Sequence, residues 1–240
     1  MGTIRLNRRV SRIFCWGVGV IIALMSLSLT TGAMAQSSEW IVYTTKNSEL
    51  PLNEVIELTV DPRGGLWVGT RGDGLAKVDG ETWTVYTTDN SQLPSNTVPT
   101  LAVDTHGDLW VGTGDGLVLF DGETWAVLTT EKTDLPYNAV HALAVDPQGT
   151  LWIGTGRFDD DGGGGLAKLE RRYFKWAAYT TDDSDLPGNQ LLALAVDSYG
   201  HVWVGTAGNK GVATFNGETW TVYAPDNSKL PVGSVITRDR

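Results

Sequence analysis

From about residue 54 onward, apolar positions fall in short runs separated by clusters of Asp, Gly, Asn, Ser and Pro, and no stretch keeps a helical period. Short alternating runs bounded by such residues predict strands and turns. One unit can be read from 101 to 129. It runs Leu101-Ala102-Val103-Asp104, then the turn Thr105-His106-Gly107, then Leu109 to Thr113 and Gly114-Asp115-Gly116. Leu117 to Phe120 follows, then the turn Asp121-Gly122-Glu123, then Thr124 to Thr129. These are four predicted strands, here a, b, c and d.

The unit recurs along the chain. Leu66-Trp67-Val68-Gly69-Thr70 is repeated at Leu109 to Thr113, Leu151 to Thr155 and Val202 to Thr206, with Trp spacings of 43, 42 and 51. A second series, Trp40, Trp83, Trp125, Trp176 and Trp220, is spaced 43, 42, 51 and 44. The long interval coincides with an insertion, Gly156-Arg157-Phe158-Asp159-Asp160-Asp161 followed by Gly162 to Gly165. Four strands per repeat predict an all-β fold, a β-propeller of four-stranded blades. The chain supplies four complete repeats and a partial fifth. A leading d covers Trp40 to Thr45, and a trailing a lies around Ser234 to Thr237. The arc is therefore expected to be open or truncated, with a ring closed on leftover strands or completed by self-association as the other readings.

The alternation also predicts packing. In strand b, Trp110 and Gly112 share one face, while strand a alternates large and small, as in Leu101-Ala102-Val103. Each strand-b Trp is expected to insert towards the small residues of the next blade. Pro99 cannot donate to a ladder, which places strand a at an open edge, and its small side chains suit the crowded axis. The d-to-a and b-to-c loops then share one face, and the a-to-b and c-to-d turns the other.

The first 35 residues are set apart by composition. Arg5, Arg8, Arg9 and Arg12 precede an apolar run from Ile13 to Leu29, and Ala33-Met34-Ala35 offers a small-x-small cleavage site before Gln36. This reads as a secretory signal peptide over 1–35, with residues 36–240 as the propeller domain and a periplasmic or secreted location. An uncleaved anchor is the rival, since the run is at the short limit of a bilayer span. After cleavage the 28 acids face 14 bases, a formal charge of −14, which disfavours nucleic acid and anionic lipid as partners. The lone Cys15 lies inside the leader, so the mature chain holds no thiol for disulfide, zinc or nucleophilic chemistry.

The phrase Leu-Ala-Val-Asp-x-x-Gly-x-Leu-Trp-Val-Gly-Thr-x-x-Gly-Leu at 101–117, and nearly so at 58–75, resembles the two-component regulator propeller repeat. The resemblance covers about 54–240 and implies a sensor-like binding domain, since such repeats build periplasmic propellers that in many bacteria form the sensory half of hybrid histidine kinases. A weaker similarity is to streptogramin B lyases. The lyase-like alternative would use His141 and the acidic loop, although the three histidines, His106, His141 and His201, fall in different units.

Candidate ligand-binding residues are Asn53, Asn96, Asn138 and Asn189, which close the Leu-Pro loops just before strand a, with Arg71, Asp73, Asp115 and Arg157 in the b-to-c loops of that face. Amides there can donate and accept towards a small molecule, a glycan or a protein; the competing role is satisfying their own loops. Asp159, Asp160 and Asp161 offer oxygen ligands to calcium, but three adjacent acids do not match an EF-hand, and a solvated insertion is the alternative. No other cofactor is expected. Asp61, Asp104, Asp146 and Asp197 precede x-x-Gly in every unit and are expected to cap turns.

Overall fold

The computed structural model describes residues 14–16, 19–22, 41–156, 163–208 and 210–230. The repeats fold as predicted, into four antiparallel sheets, each in the order a-b-c-d. Blade 1 is Val55–Val60, Leu66–Thr70, Leu75–Asp79 and Thr82–Tyr86. Blade 2 is Thr100–Val103, Leu109–Thr113, Gly116–Phe120 and Trp125–Leu128. Blade 3 is Val140–Val145, Thr150–Gly156, Gly164–Glu170 and Lys175–Tyr179. Blade 4 is Leu191–Val196, Val202–Thr206, Val212–Phe215 and Trp220–Tyr223.

Strand a is an edge in every sheet, and neighbouring blades meet along it: the Leu143 N–H donates to Thr100 Oγ1 at 3.1 Å, from blade 3 to blade 2. In blades 1, 3 and 4 this strand starts with a register shift around Ile56, His141 and Leu192. Pro99 holds that place in blade 2, where the strand begins only at Thr100. A residue with no N–H sits where the ladder is already irregular.

The seams between blades carry the core. Trp67 packs with Leu101, Val111, Val118 and Phe120 of blade 2. Trp110 packs with Leu143, Leu151, Ile153 and Leu169 of blade 3, and Trp152 with Leu194, Val202, Val204 and Phe215 of blade 4. Each ring therefore enters the next blade, but its seat is a face of large aliphatic and aromatic side chains, not the expected small ones. The small residues have another task. Thr59, Ala102, Ala144 and Ala195 lie directly across the ladder from Trp67, Trp110, Trp152 and Trp203 of the same sheet. A bulkier neighbour there would compete with the indole for the seam. The bare backbone beside each Trp is also used, because a Cβ on Gly112 would lie 2.7 Å from Val140 Cγ1 of blade 3.

The burial of the rings follows from this order. Trp67, Trp110 and Trp152 are 2%, 0% and 4% exposed, while Trp203 of blade 4 is only half-buried. Buried clusters join blades 1 and 2, 2 and 3, and 3 and 4, and no such cluster among the described residues joins 4 to 1. The described arc is open.

At the leading end, Ile41–Tyr43 takes the place of a preceding strand d. Tyr43 meets Trp83 edge-on at 5.5 Å, as Tyr86 meets Trp125 at 5.2 Å and Tyr179 meets Trp220 at 6.0 Å. This strand pairs with Gly19–Ile22, and that with Phe14–Trp16, two short stretches of the segment that the sequence reading sets apart as a leader. Trp40 and the trailing strand expected near Ser234 to Thr237 lie outside the described residues. Among the described residues no helix is long and apolar enough to cross a membrane.

Candidate functional site

The loops segregate to two faces as expected. On one, b-to-c loops bond to d-to-a loops: Gly74 N–H to Asn96 O at 2.9 Å, Gly114 N–H to Thr97 O at 3.2 Å and Gly156 N–H to Ala139 O at 3.2 Å. A buried threonine closes each b-to-c loop at its base, from Thr70 to Gly74 O at 2.7 Å and from Thr113 to Gly116 O at 2.8 Å. Thr155 does the same across the insertion, to Gly165 O at 2.9 Å. Arg157, Asp159, Asp160 and Asp161 lie outside the described residues. Among the described residues, no group of three or more His, Cys, Asp or Glu is placed to hold a metal ion.

The four asparagines have defined work in their own loops. The Oδ1 atoms of Asn53, Asn96, Asn138 and Asn189 accept from the N–H groups of Thr45, Thr88, Thr130 and Thr181 at 2.9, 2.9, 2.8 and 2.8 Å. Each bond spans eight residues and ties the end of the loop to its start. Asn53 and Asn189 also donate Nδ2 to the same threonine's hydroxyl. A second set, absent from the sequence-based candidates, braces the middle. Asn47, Asn90 and Asn227 accept from Thr44, Thr87 and Ala224 N–H at 2.7 Å and donate to Val42, Val85 and Val222 O. The recurring Asn-Ser, preceded by Thr-Thr-x at Asn47 and Asn90 and by Ala-Pro-x at Asn227, was the available signal. Arg71 pairs with Glu54. The backbone N–H groups of Asp73 and Asp115 donate to Thr70 and Thr113 Oγ1 at 3.2 Å, and both residues are exposed.

The other face holds the turn aspartates. Asp104 Oδ1 accepts from His106 and Asp108 N–H at 2.8 and 3.1 Å, and Asp61, Asp146 and Asp197 repeat the pattern. The expected capping is there, and Oδ2 adds what the sequence reading missed. It accepts the indole N–H of Trp67, Trp110, Trp152 and Trp203 at 3.2, 3.0, 3.1 and 3.2 Å. Burial pushes the Asp61 carboxyl up, but the Gly65 N–H, the Trp67 indole and the Lys77 ammonium outweigh it and hold it below the usual range.

A cavity of about 190 Å³ opens on this face at the seam of blades 1 and 2. Its walls include Asp61, Arg63, Lys77, Tyr86, His106 and Phe120. Lys77 Nζ lies 3.3 Å from Asp61 Oδ2 and 5.1 Å over the Trp67 ring. Asp121 at the rim is held at about 2 by the Thr124 N–H and hydroxyl and the Glu123 N–H. His141 is elsewhere, with Nε2 2.7 Å from Gly156 O; burial pushes its imidazole down, against that hydrogen bond.

The architecture is a propeller arc whose blades interlock by Trp and whose repeats share one turn motif. Two component regulator propeller repeats match residues 49–72, 92–115, 134–157 and 185–208. The chain is a two-component regulator propeller repeat protein. Similar solved structures include the extracellular domain of a protein described as a hybrid two component system, BT3049 of B. thetaiotaomicron. Identity is 21%, over 86% of this chain and 26% of that one, with a TM-score of 0.70. The extracellular domain of BT4673, described as a one component system of the same organism, is 19% identical over 88% of this chain and 29% of that one, with a TM-score of 0.64. Virginiamycin B lyase from Staphylococcus aureus is 14% identical over 71% of this chain and 55% of that one, with a TM-score of 0.56. The chain thus spans under a third of the two extracellular domains, and at these identities the likeness is one of fold. No curated protein matches.

Proposed function

We propose that the chain is an exported, non-catalytic propeller module that binds a ligand or a protein partner, in the manner of a sensor domain. The observation that carries this is the fourfold propeller repeat, whose family resemblance is to periplasmic sensors. The likeness in fold to extracellular domains of regulators supports it, as does the Arg-rich, apolar, Ala-Met-Ala leader. The strongly acidic mature chain argues for a partner other than nucleic acid.

Two surfaces are available for recognition. One is the face of the d-to-a and b-to-c loops, where the Nδ2 groups of Asn96 and Asn138 make no hydrogen bond within the described residues and Arg71, Asp73 and Asp115 supply charge. The other is the cavity between blades 1 and 2. A thermal-shift screen of the exported protein against glycans, peptides and small acids tests the reading. At least one class should raise the melting temperature in a dose-dependent way, and a panel with no response overturns it.

A lyase-type activity is the second reading, favoured by the fold likeness to virginiamycin B lyase. Incubation with quinupristin, named with that lyase, and mass analysis of the product decides it. An unchanged mass rejects the activity.

A further inference from the structure

The three seams follow one plan and differ at their turn-side ends. Between blades 2 and 3, the c-to-d turn of blade 3 forms a 3₁₀ turn, Arg171–Tyr173. It sends Arg171 across the seam. The guanidinium lies 5.8 Å over Trp110 and pairs with Asp104 and Asp108 of blade 2. Between blades 1 and 2 the corresponding turn is Asp121-Gly122-Glu123, and Gly122 has no side chain to send. The cavity lies at this unplugged end.

Its spare hydrogen-bonding capacity is almost all donor. Asp61 is fully engaged, by Arg63 and Gly65 N–H on Oδ1 and by Trp67 Nε1 and Lys77 on Oδ2. Asp121 accepts from Glu123 N–H, Thr124 N–H and Thr124 Oγ1 at 2.9, 2.7 and 2.7 Å. Asp108 is paired with Arg171. The cations are less committed. Arg63 makes no ion pair among the described residues, and Lys77 has given one of its N–H groups to Asp61. The His106 ring is mostly exposed, with Nδ1 3.8 Å from Asp104 Oδ1, beyond hydrogen-bond range. Beside these donors, Tyr86 and Phe120 form an apolar wall, their ring centroids 6.0 Å apart.

We propose that the seam of blades 1 and 2 binds a small planar organic acid, its carboxylate on Arg63 and Lys77 and its flat body against Tyr86 and Phe120. Arginine suits this because its fork matches a carboxylate in two parallel hydrogen bonds. The wall holds the acids Asp61, Asp108 and Asp121 against Arg63 and Lys77, but the carboxylates are taken up by the partners just named, whereas the two cations keep N–H groups to give. The inference rests on the reading of the chain as a binding module and gives that module a ligand class.

Blade 3 supplies the test substitution, because Gln148 holds in its turn the place that Arg63 holds in blade 1. The exported full-length protein and its Arg63→Gln and Lys77→Met variants are titrated by calorimetry with benzoate, neutral benzamide and cationic benzamidine. Benzoate should bind with a Kd of about 1 mM or tighter, benzamide should not, and each substitution should weaken benzoate by about tenfold or more with the circular dichroism spectrum unchanged. Benzamidine binding as tightly as benzoate, benzoate binding indifferent to Arg63→Gln, or no benzoate heat at about 10 mM each overturns the proposal. A thermal-shift ligand whose effect survives Arg63→Gln would overturn this site while leaving the broader binding reading standing.

Discussion

The indole N–H of Trp110 donates to Asp104 Oδ2 at 3.0 Å, six residues back in the chain. Asp104 also caps its own turn through Oδ1 and meets Arg171 of the next blade. One carboxylate thus fixes a turn, aims the ring that enters the next blade and receives that blade's arginine. The arrangement predicts a hierarchy of sensitivities.

Trp110→Ala should lose about 3–5 kcal/mol of stability, because the ring is fully buried between two blades. Trp203→Ala should lose less than half as much, since that ring is half-buried with no described blade beyond it. Urea unfolding of both variants measures the difference. Equal losses would mean that the seam does not govern the ring's contribution.

Asp104→Ala removes the acceptor for a buried indole and the partner of a largely buried guanidinium. The expected loss is about 3–5 kcal/mol. Combining it with Arg171→Leu should be less damaging than the sum of the two, by about 0.5–3 kcal/mol. A double-mutant cycle that came out additive would show that the two residues do not interact across the seam.

Glycine positions give a local contrast. A Cβ on Gly112 would lie 2.4 Å from Thr100 Cγ2 and 2.7 Å from Val140 Cγ1, whereas one on Gly72 would meet nothing within 4 Å. Gly112→Ala should cost about 1–3 kcal/mol, and Gly72→Ala should stay within about 0.5 kcal/mol of the parent. Thermal unfolding of the pair reads the close approach of blades 2 and 3.

Asn189→Ala should destabilise the protein by about 1 kcal/mol, because its largely buried side chain ties both ends of one loop to Thr181. Thr181→Val should leave the backbone N–H bond in place and lose less. Hydrogen exchange at the Thr181 amide provides the site-specific check, with faster exchange expected only in Asn189→Ala.

His141 should titrate below the usual histidine pKa of about 6.5, because burial disfavours its charged form. A folded-state pKa lowered in this way makes protonation favour the unfolded chain, so stability falls as pH drops through about 6.5 and levels off below the folded value. An NMR titration of the imidazole checks the direction. A midpoint above about 6.5 would reverse the sign of its contribution.

Strand order, the two faces and the direction of Trp insertion were legible because the repeat presents each signal four times. The receiving surface was misread for a physical reason. Alternation in strand a shows that Ala102 is small, but not whether that spares room for a ring of its own sheet or admits one from the next. Only the ladder, which sets Ala102 opposite Trp110, decides between them. The Asp-to-Trp bond could have been found from the constant six-residue offset, since both side chains point into the same seam. The cavity could not, because it depends on what Gly122 fails to fill.

The interlocking of rings also bears on how such chains change length. Half of every joint belongs to one repeat and half to its successor, so copying a stretch of 42 or 43 residues from any starting phase regenerates one whole joint and disturbs none. Loss of a fractional stretch strands a ring without its socket. Growth by unequal exchange between repeats therefore requires no new packing chemistry, only that each event preserve the period.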